Sequence, residues 1–188
     1  MRPLPIPIRC TKEQTMKPTH RKTIFAGIVG GLSMNLTMLM TFRLIGFGWN
    51  GGGILLESSS QSQKLISVWT EIEPIPLVVN SPAPIIIGII LFGVVHAYFF
   101  RWLSSALTGG IINQGLQFAG LVFVMTFLFW EFFTPFNLFG EPLHLNALEL
   151  VFWACIALAD GLAISAIIGQ RAILKINTNF SFDKYKSP

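Results

Sequence analysis

Apolar residues run almost unbroken through four stretches of the chain, about Thr23–Phe47, Pro84–Leu107, Asn113–Thr134 and Ala147–Gln170. Each is close to the roughly 20 residues a helix needs to cross a hydrocarbon core. Backbone groups facing lipid have no water to bond, so such runs are expected to be helical. The alternation of a membrane barrel strand is missing. The pattern predicts an all-α integral membrane protein, an antiparallel bundle of four transmembrane helices spanning residues 23–170. Residues 1–22 and 171–188 are its tails, and 48–83 and 135–146 its connections on the external side.

Within the runs, small residues recur every fourth position and so share one helical face. Gly27 and Gly31 form such a row with Asn35, and Ala157, Gly161, Ser165 and Gly169 form another. Rows of this kind let helix backbones approach closely. The first connection is too long for a bare turn. Leu65, Ile66, Trp69 and Ile72 fall in it at helical spacing, and "EPIPLVVNSPAP" follows as extended chain. This predicts an amphipathic and extended cap between spans one and two, lying on the outer membrane surface. "SALTGGIIN" reads as a hairpin between spans two and three, and Pro135 is expected to end span three.

Composition sharpens the class. Charged residues make up 12% of the chain, about half the share of a typical soluble domain. A net charge of +4 taken alone suits a nucleic-acid partner, but its placement does not. Arg2, Arg9, Lys12, Lys17, Arg21 and Lys22 precede the first run, and Arg171, Lys175, Lys184 and Lys186 follow the last. The first connection holds only Lys64, and the second holds no Lys or Arg. The positive-inside rule then puts both termini in the cytoplasm. The expected partners are the lipid bilayer and, through the small-residue rows, a second copy of the chain or a larger membrane complex. No nucleic acid is expected. The first run reads as a retained span, and Met16 serves as a start as well as Met1 does. Cys10 and Cys155 sit too far apart to pair and match no metal spacing.

Inside the runs, counting from span ends sorts the polar residues by depth. Asn35, His96 and Asp160 fall near the midplane; Arg43, Glu131 and Glu149 fall in the outer third; Arg101, Asn113 and Gln117 fall in the inner third. A charge at the bilayer centre costs roughly 2.5–3.5 kcal/mol, so these groups should face inward and seek partners. Arg43 is expected to bridge Glu131 and Glu149, as a structural clamp or as the floor of an external site. His96 and Asp160 are expected to pair, with Asn35 adding a hydrogen bond, as a structural link or a proton relay.

Several chemistries drop out. Bis-histidine haem needs a second histidine within the bundle, and thiol–disulfide exchange needs paired cysteines. Zinc-protease, nucleophile-elbow and phosphate-loop motifs are missing. No catalytic residue, metal ligand or cofactor is therefore expected. The first functional expectation is a non-enzymatic accessory, assembly or scaffold subunit. The alternative is a small proton-coupled permease using His96, Asp160 and the outer Arg–Glu group. A weaker one is a lipid-modifying enzyme with Glu131 or Glu149 as acid/base. The segments "WTEIEPIPLVVNSP" and "WEFFTPFNLFGEP" resemble a group of small four-span bacterial membrane proteins without assigned function, over about Trp69 to Gly161. That resemblance implies a bacterial plasma membrane and no activity.

Overall fold

The structure is a computed structural model and describes residues 19–57 and 59–169. The basic tails expected at either end, with Cys10, Met16 and Gln170, lie outside the described residues apart from Thr19, His20, Arg21 and Lys22. Among the described residues, four helices are long and apolar enough to cross a membrane: α1 (His20–Gly46), α5 (Ala83–Leu103), α6 (Ile111–Leu138) and α7 (Leu143–Ile168). Even the shortest, with 21 residues, measures about 32 Å at 1.5 Å per residue. Three short helices, α2 (Ile54–Glu57), α3 (Gln63–Thr70) and α4 (Leu77–Asn80), occupy the segment between α1 and α5.

Local chemistry explains most of the boundaries. Thr19 precedes α1 and its hydroxyl accepts from the Lys22 N–H at 3.4 Å, satisfying one orphan donor of the first turn. Pro82 and Pro84 bracket the start of α5, where a missing N–H costs nothing. Hydroxyls inside α1 bond back to the preceding turn: Ser33 to the Gly30 carbonyl, Thr37 to Ser33, and Thr41 to Thr37. Each polar group is thereby met within its own helix.

Pro135 does not end the third long helix, which runs on to Leu138. Its turns widen to π geometry at Phe123–Leu128 and again at Phe132–Leu138. A ring without an N–H is tolerated where the ladder is already displaced. The last eight residues of α1, Leu39–Gly46, widen in the same way. The helix α5 stops at Leu103, and the hairpin after it is tied to α6. Asn113 and Gln117 side-chain amides both donate to the Thr108 carbonyl, at 2.9 and 3.0 Å.

The helices α1 and α7 form the centre, with α5 packed on α1 and α6 on α7. Glycine makes both outer contacts possible. A Cβ on Gly27 would strike the Val94 backbone, and one on Gly31 would lie 2.5 Å from Ile90 Cα. On the other side, a Cβ on Gly161 would lie 2.6 Å from the Gly115 carbonyl oxygen. The Ser165 hydroxyl donates to the Ile111 carbonyl at 2.6 Å, Gly169 sits against Ile111, and Ala157 is buried in the core. The core itself is apolar and aromatic, running from Ala26, Met34 and Phe42 through Phe100 and Phe118 to Ile156 and Ile164.

The segment between α1 and α5 folds onto the ends of α1 and α6. Leu55 is fully buried against Gly46, and Trp69 packs on Phe47 with ring centroids 4.8 Å apart. Lys64 donates to the Leu138 carbonyl at 2.6 Å, and Ser62 to the Phe139 carbonyl. Leu65, Ile66 and Trp69 belong to α3, whereas Ile72 lies beyond its end and is exposed.

Two glycine substitutions separate close packing from helix propensity. Gly31→Val is expected to lower the melting temperature in detergent, reflecting about 1–3 kcal/mol of overpacking. Gly120 faces open space, so Gly120→Ala should be neutral or stabilise by up to about 1 kcal/mol. Thermal unfolding monitored by circular dichroism distinguishes the two.

Candidate functional site

Polar side chains are brought together inside the bundle in two places. At the first, His96 on α5 donates from Nδ1 to Asp160 Oδ2 on α7, 2.5 Å away, with both residues buried. Phe92 lies over the imidazole at 4.1 Å between centroids, and Phe118 meets it edge-on at 6.0 Å. The second carboxylate oxygen, Asp160 Oδ1, is buried without a hydrogen-bond partner. It occupies the space beside Gly30 of α1, where a Cβ would fall 2.5 Å from it. Helix α1 thus leaves a gap at the one position where the carboxylate needs room.

Asn35, expected beside this pair, is elsewhere. Its amide donates to the Gly31 carbonyl at 2.9 Å and to the Ile86 carbonyl of α5 at 3.3 Å. It shares the face of Gly27 and Gly31, which looks at α5, whereas Asp160 is met by the Ala26–Gly30–Met34 face. Depth alone could not separate these two faces.

At the second place, Glu131 of α6 is completely buried between α6 and α7. Trp153 donates from Nε1 to Glu131 Oε2 at 2.7 Å, and Asn146 donates from Nδ2 to Oε1 at 3.1 Å. The same Asn146 amide reaches the Glu131 carbonyl at 3.2 Å. Glu149 lies on the α7 face of Asn146 and Trp153, with a carboxylate oxygen within 4.8 Å of one on Glu131. Trp153 is itself fixed by Phe127, stacked at 4.6 Å, and by Phe42 at 4.8 Å.

A third carboxylate completes this group. Gly140, with φ of +66°, turns the chain after α6, and the Glu141 N–H donates back to the Pro135 carbonyl at 3.1 Å. That turn folds the Glu141 side chain inward, where Gln61 donates to its Oε1 at 2.8 Å. Gln61 also holds the Leu55 carbonyl, so the α2–α3 segment is tied to the cluster. One carboxylate oxygen from each of Glu131, Glu141 and Glu149 lies within 4.8 Å of the others, and all three residues are buried. Glu141 Oε2 and Asn146 Oδ1 are buried without partners.

Arg43 does not join these acids. Its guanidinium donates to the Trp49 carbonyl at 3.1 Å and lies 5.5 Å from the Trp49 ring centroid, exposed. It lies in the widened last turns of α1, where the every-fourth-residue row no longer holds, while the glutamates lie between α6 and α7. Among the described residues, the only ion pair is His96–Asp160, so no Lys or Arg neutralises the three glutamates.

The sequence reading missed Glu141, Asn146 and Gln61. One signal was present: Asn146, Glu149 and Trp153 are spaced i, i+3, i+7, which is one helical face. Nothing comparable marked Glu141 or Gln61, which reach the cluster through turns. Comparison of the chain with protein-family models, curated proteins and solved structures finds no match.

Burial holds the Glu141 carboxyl above the usual carboxylate range, helped by the charge on Glu131 and opposed by the Gln61 hydrogen bond. An acid whose pKa rises on folding favours its protonated form in the folded state. Its unfavourable contribution is absent below the unfolded pKa and grows as pH rises toward the folded value. The Glu141 contribution to stability should therefore become less favourable as pH is raised above about 4.5, the ordinary carboxyl value. Glu141→Gln should flatten that decline, as melting curves across pH would record.

Proposed function

We propose that this chain is an antiparallel four-span membrane protein that exchanges protons at an enclosed histidine–carboxylate pair, in the class of small proton-coupled permeases. The observation that carries this reading is the His96–Asp160 contact at 2.5 Å, enclosed between α5 and α7 and bordered by α1. Imidazole and carboxylate both bind and release protons, and a pair buried at mid-helix is costly unless the charges compensate each other. The partnerless Asp160 Oδ1 gives the pair a second site for a proton. The antiparallel arrangement is supported by successive contacts, Gly27 with Val94, Gly31 with Ile90 and Asn35 with Ile86. With the basic residues at the chain ends, it favours cytoplasmic termini and an external cap formed by residues 48–83.

A second reading, the non-enzymatic accessory or assembly subunit, is favoured by the backbone-to-backbone glycine contacts of α1 with α5 and α6 with α7. The concavities along α6, about 360 and 430 Å³, are shallow grooves lined mainly by aromatic side chains. Neither includes His96 or Asp160.

Reconstitution into liposomes holding a pH-sensitive dye discriminates the two. The first reading expects proton uptake under an imposed membrane potential, abolished in Asp160→Asn and strongly reduced in Gly30→Ala, which displaces the carboxylate but keeps both titratable groups. Wild-type uptake no faster than that of empty liposomes would remove it. The accessory reading then expects gentle extraction to recover an oligomer or a stoichiometric partner.

A further inference from the structure

We propose that Glu131, Glu141 and Glu149, with the amide oxygen of Asn146, form a binding site for a hard divalent cation of the Ca²⁺ or Mn²⁺ class. The site is separate from the His96–Asp160 pair and does not depend on its role. Three buried carboxylates gather their oxygens within 4.8 Å, and like charges so close are strongly unfavourable without a counter-charge. Arg43, expected to bridge two of them, is engaged with Trp49 instead, and Lys64 donates to the Leu138 carbonyl.

The donors already present do not finish the site. Asn146 and Trp153 each use one lone pair on Glu131, and a carboxylate offers about four. Gln61 holds one oxygen of Glu141 and leaves Oε2 bare. Asn146 is fully buried, and its Oδ1 accepts nothing, although its Nδ2 is fastened to Glu131. Bare, buried acceptors next to clustered carboxylates are the arrangement an oxygen-preferring cation completes. Carboxylate and amide oxygens select Ca²⁺, Mn²⁺ or Mg²⁺ over thiophilic metals. Mg²⁺ normally keeps several waters, so a crowded, protein-lined cluster suits the other two better.

The supports around the ligands fit the same purpose. Trp153 and Asn146 orient Glu131, Gln61 orients Glu141, and Phe127 and Phe42 hold the Trp153 ring. Groups that orient metal ligands typically change affinity 10–100-fold when removed. Glu141 and Gln61 lie outside the long helices, so the cluster borders the connections rather than the middle of the bundle. Gln61 is a positioning residue in this scheme and touches no ion.

Mn²⁺ binding to the full chain in detergent, followed by loss of the free-ion EPR signal, tests the site. The wild type should take up about one Mn²⁺ per chain, and Ca²⁺ should displace it. Gln61→Ala should weaken binding by about 10–100-fold, and Glu141→Gln, which removes a ligand's charge, by more. Asp160→Asn should bind as the wild type does. Each variant's melting curve shows that it is folded, and Glu141→Gln alters no residue within a long helix. The proposal is overturned if the folded wild type takes up no Mn²⁺ at millimolar concentration, which would mean that shared protons neutralise the acids. Equal uptake by wild type and Glu141→Gln would overturn it too. Liposomes that transport protons but bind no Mn²⁺ would sink this inference alone, and the converse result would sink only the permease reading.

Discussion

A carboxylate between membrane-spanning helices has no water to solvate it, so something else must meet its charge or it must carry a proton. The interior of this protein is organised around that requirement. Asp160 is met by an imidazole from α5. Glu131 is met by an indole and an amide from α7, and Glu141 by an amide from the segment that follows α1. Each acid therefore ties two elements together, and the contacts between long helices are polar as well as apolar.

Close packing and polar satisfaction depend on each other here. Asp160 fits only because Gly30 lacks a side chain at the crossing of α1 and α7. On the neighbouring face of α7, Gly161 and Ser165 bring α6 near enough for a hydroxyl-to-carbonyl bond at 2.6 Å. Adjacent residues on a helix point about 100° apart, so one helix serves both neighbours at the same level. This explains why α7 is central: Gly161 and Ser165 face α6 while Asp160 faces α1 and α5.

The widened turns have a related effect. Phe123–Leu128 and Phe132–Leu138 flank Glu131 on α6. Insertions of this kind change which residues lie above one another, and they are frequent at functional positions. Past the second one, Gly140 reverses the chain and returns Glu141 to the level of Glu131. The acidic cluster thus depends on an irregular helix end followed by a positive-φ turn, features that no periodic pattern encodes.

Much of this was legible in the chain itself. Four long apolar runs determined four membrane-length helices, because no other backbone conformation satisfies itself within hydrocarbon. Rows of small residues determined where helices touch closely, and the rarity of acids within the runs marked Glu131, Glu149 and Asp160 as interior. The tertiary structure decided which polar groups meet. It joined His96 to Asp160 but sent Asn35 to the α5 backbone, and it left Arg43 on Trp49. It also recruited Asn146, Gln61 and Glu141 to Glu131. The reason is geometric: sequence spacing gives a residue's height along its helix and its direction relative to its own neighbours. Only packing fixes how each helix is turned toward the others, and that rotation decides whether two groups at one level face each other or face apart.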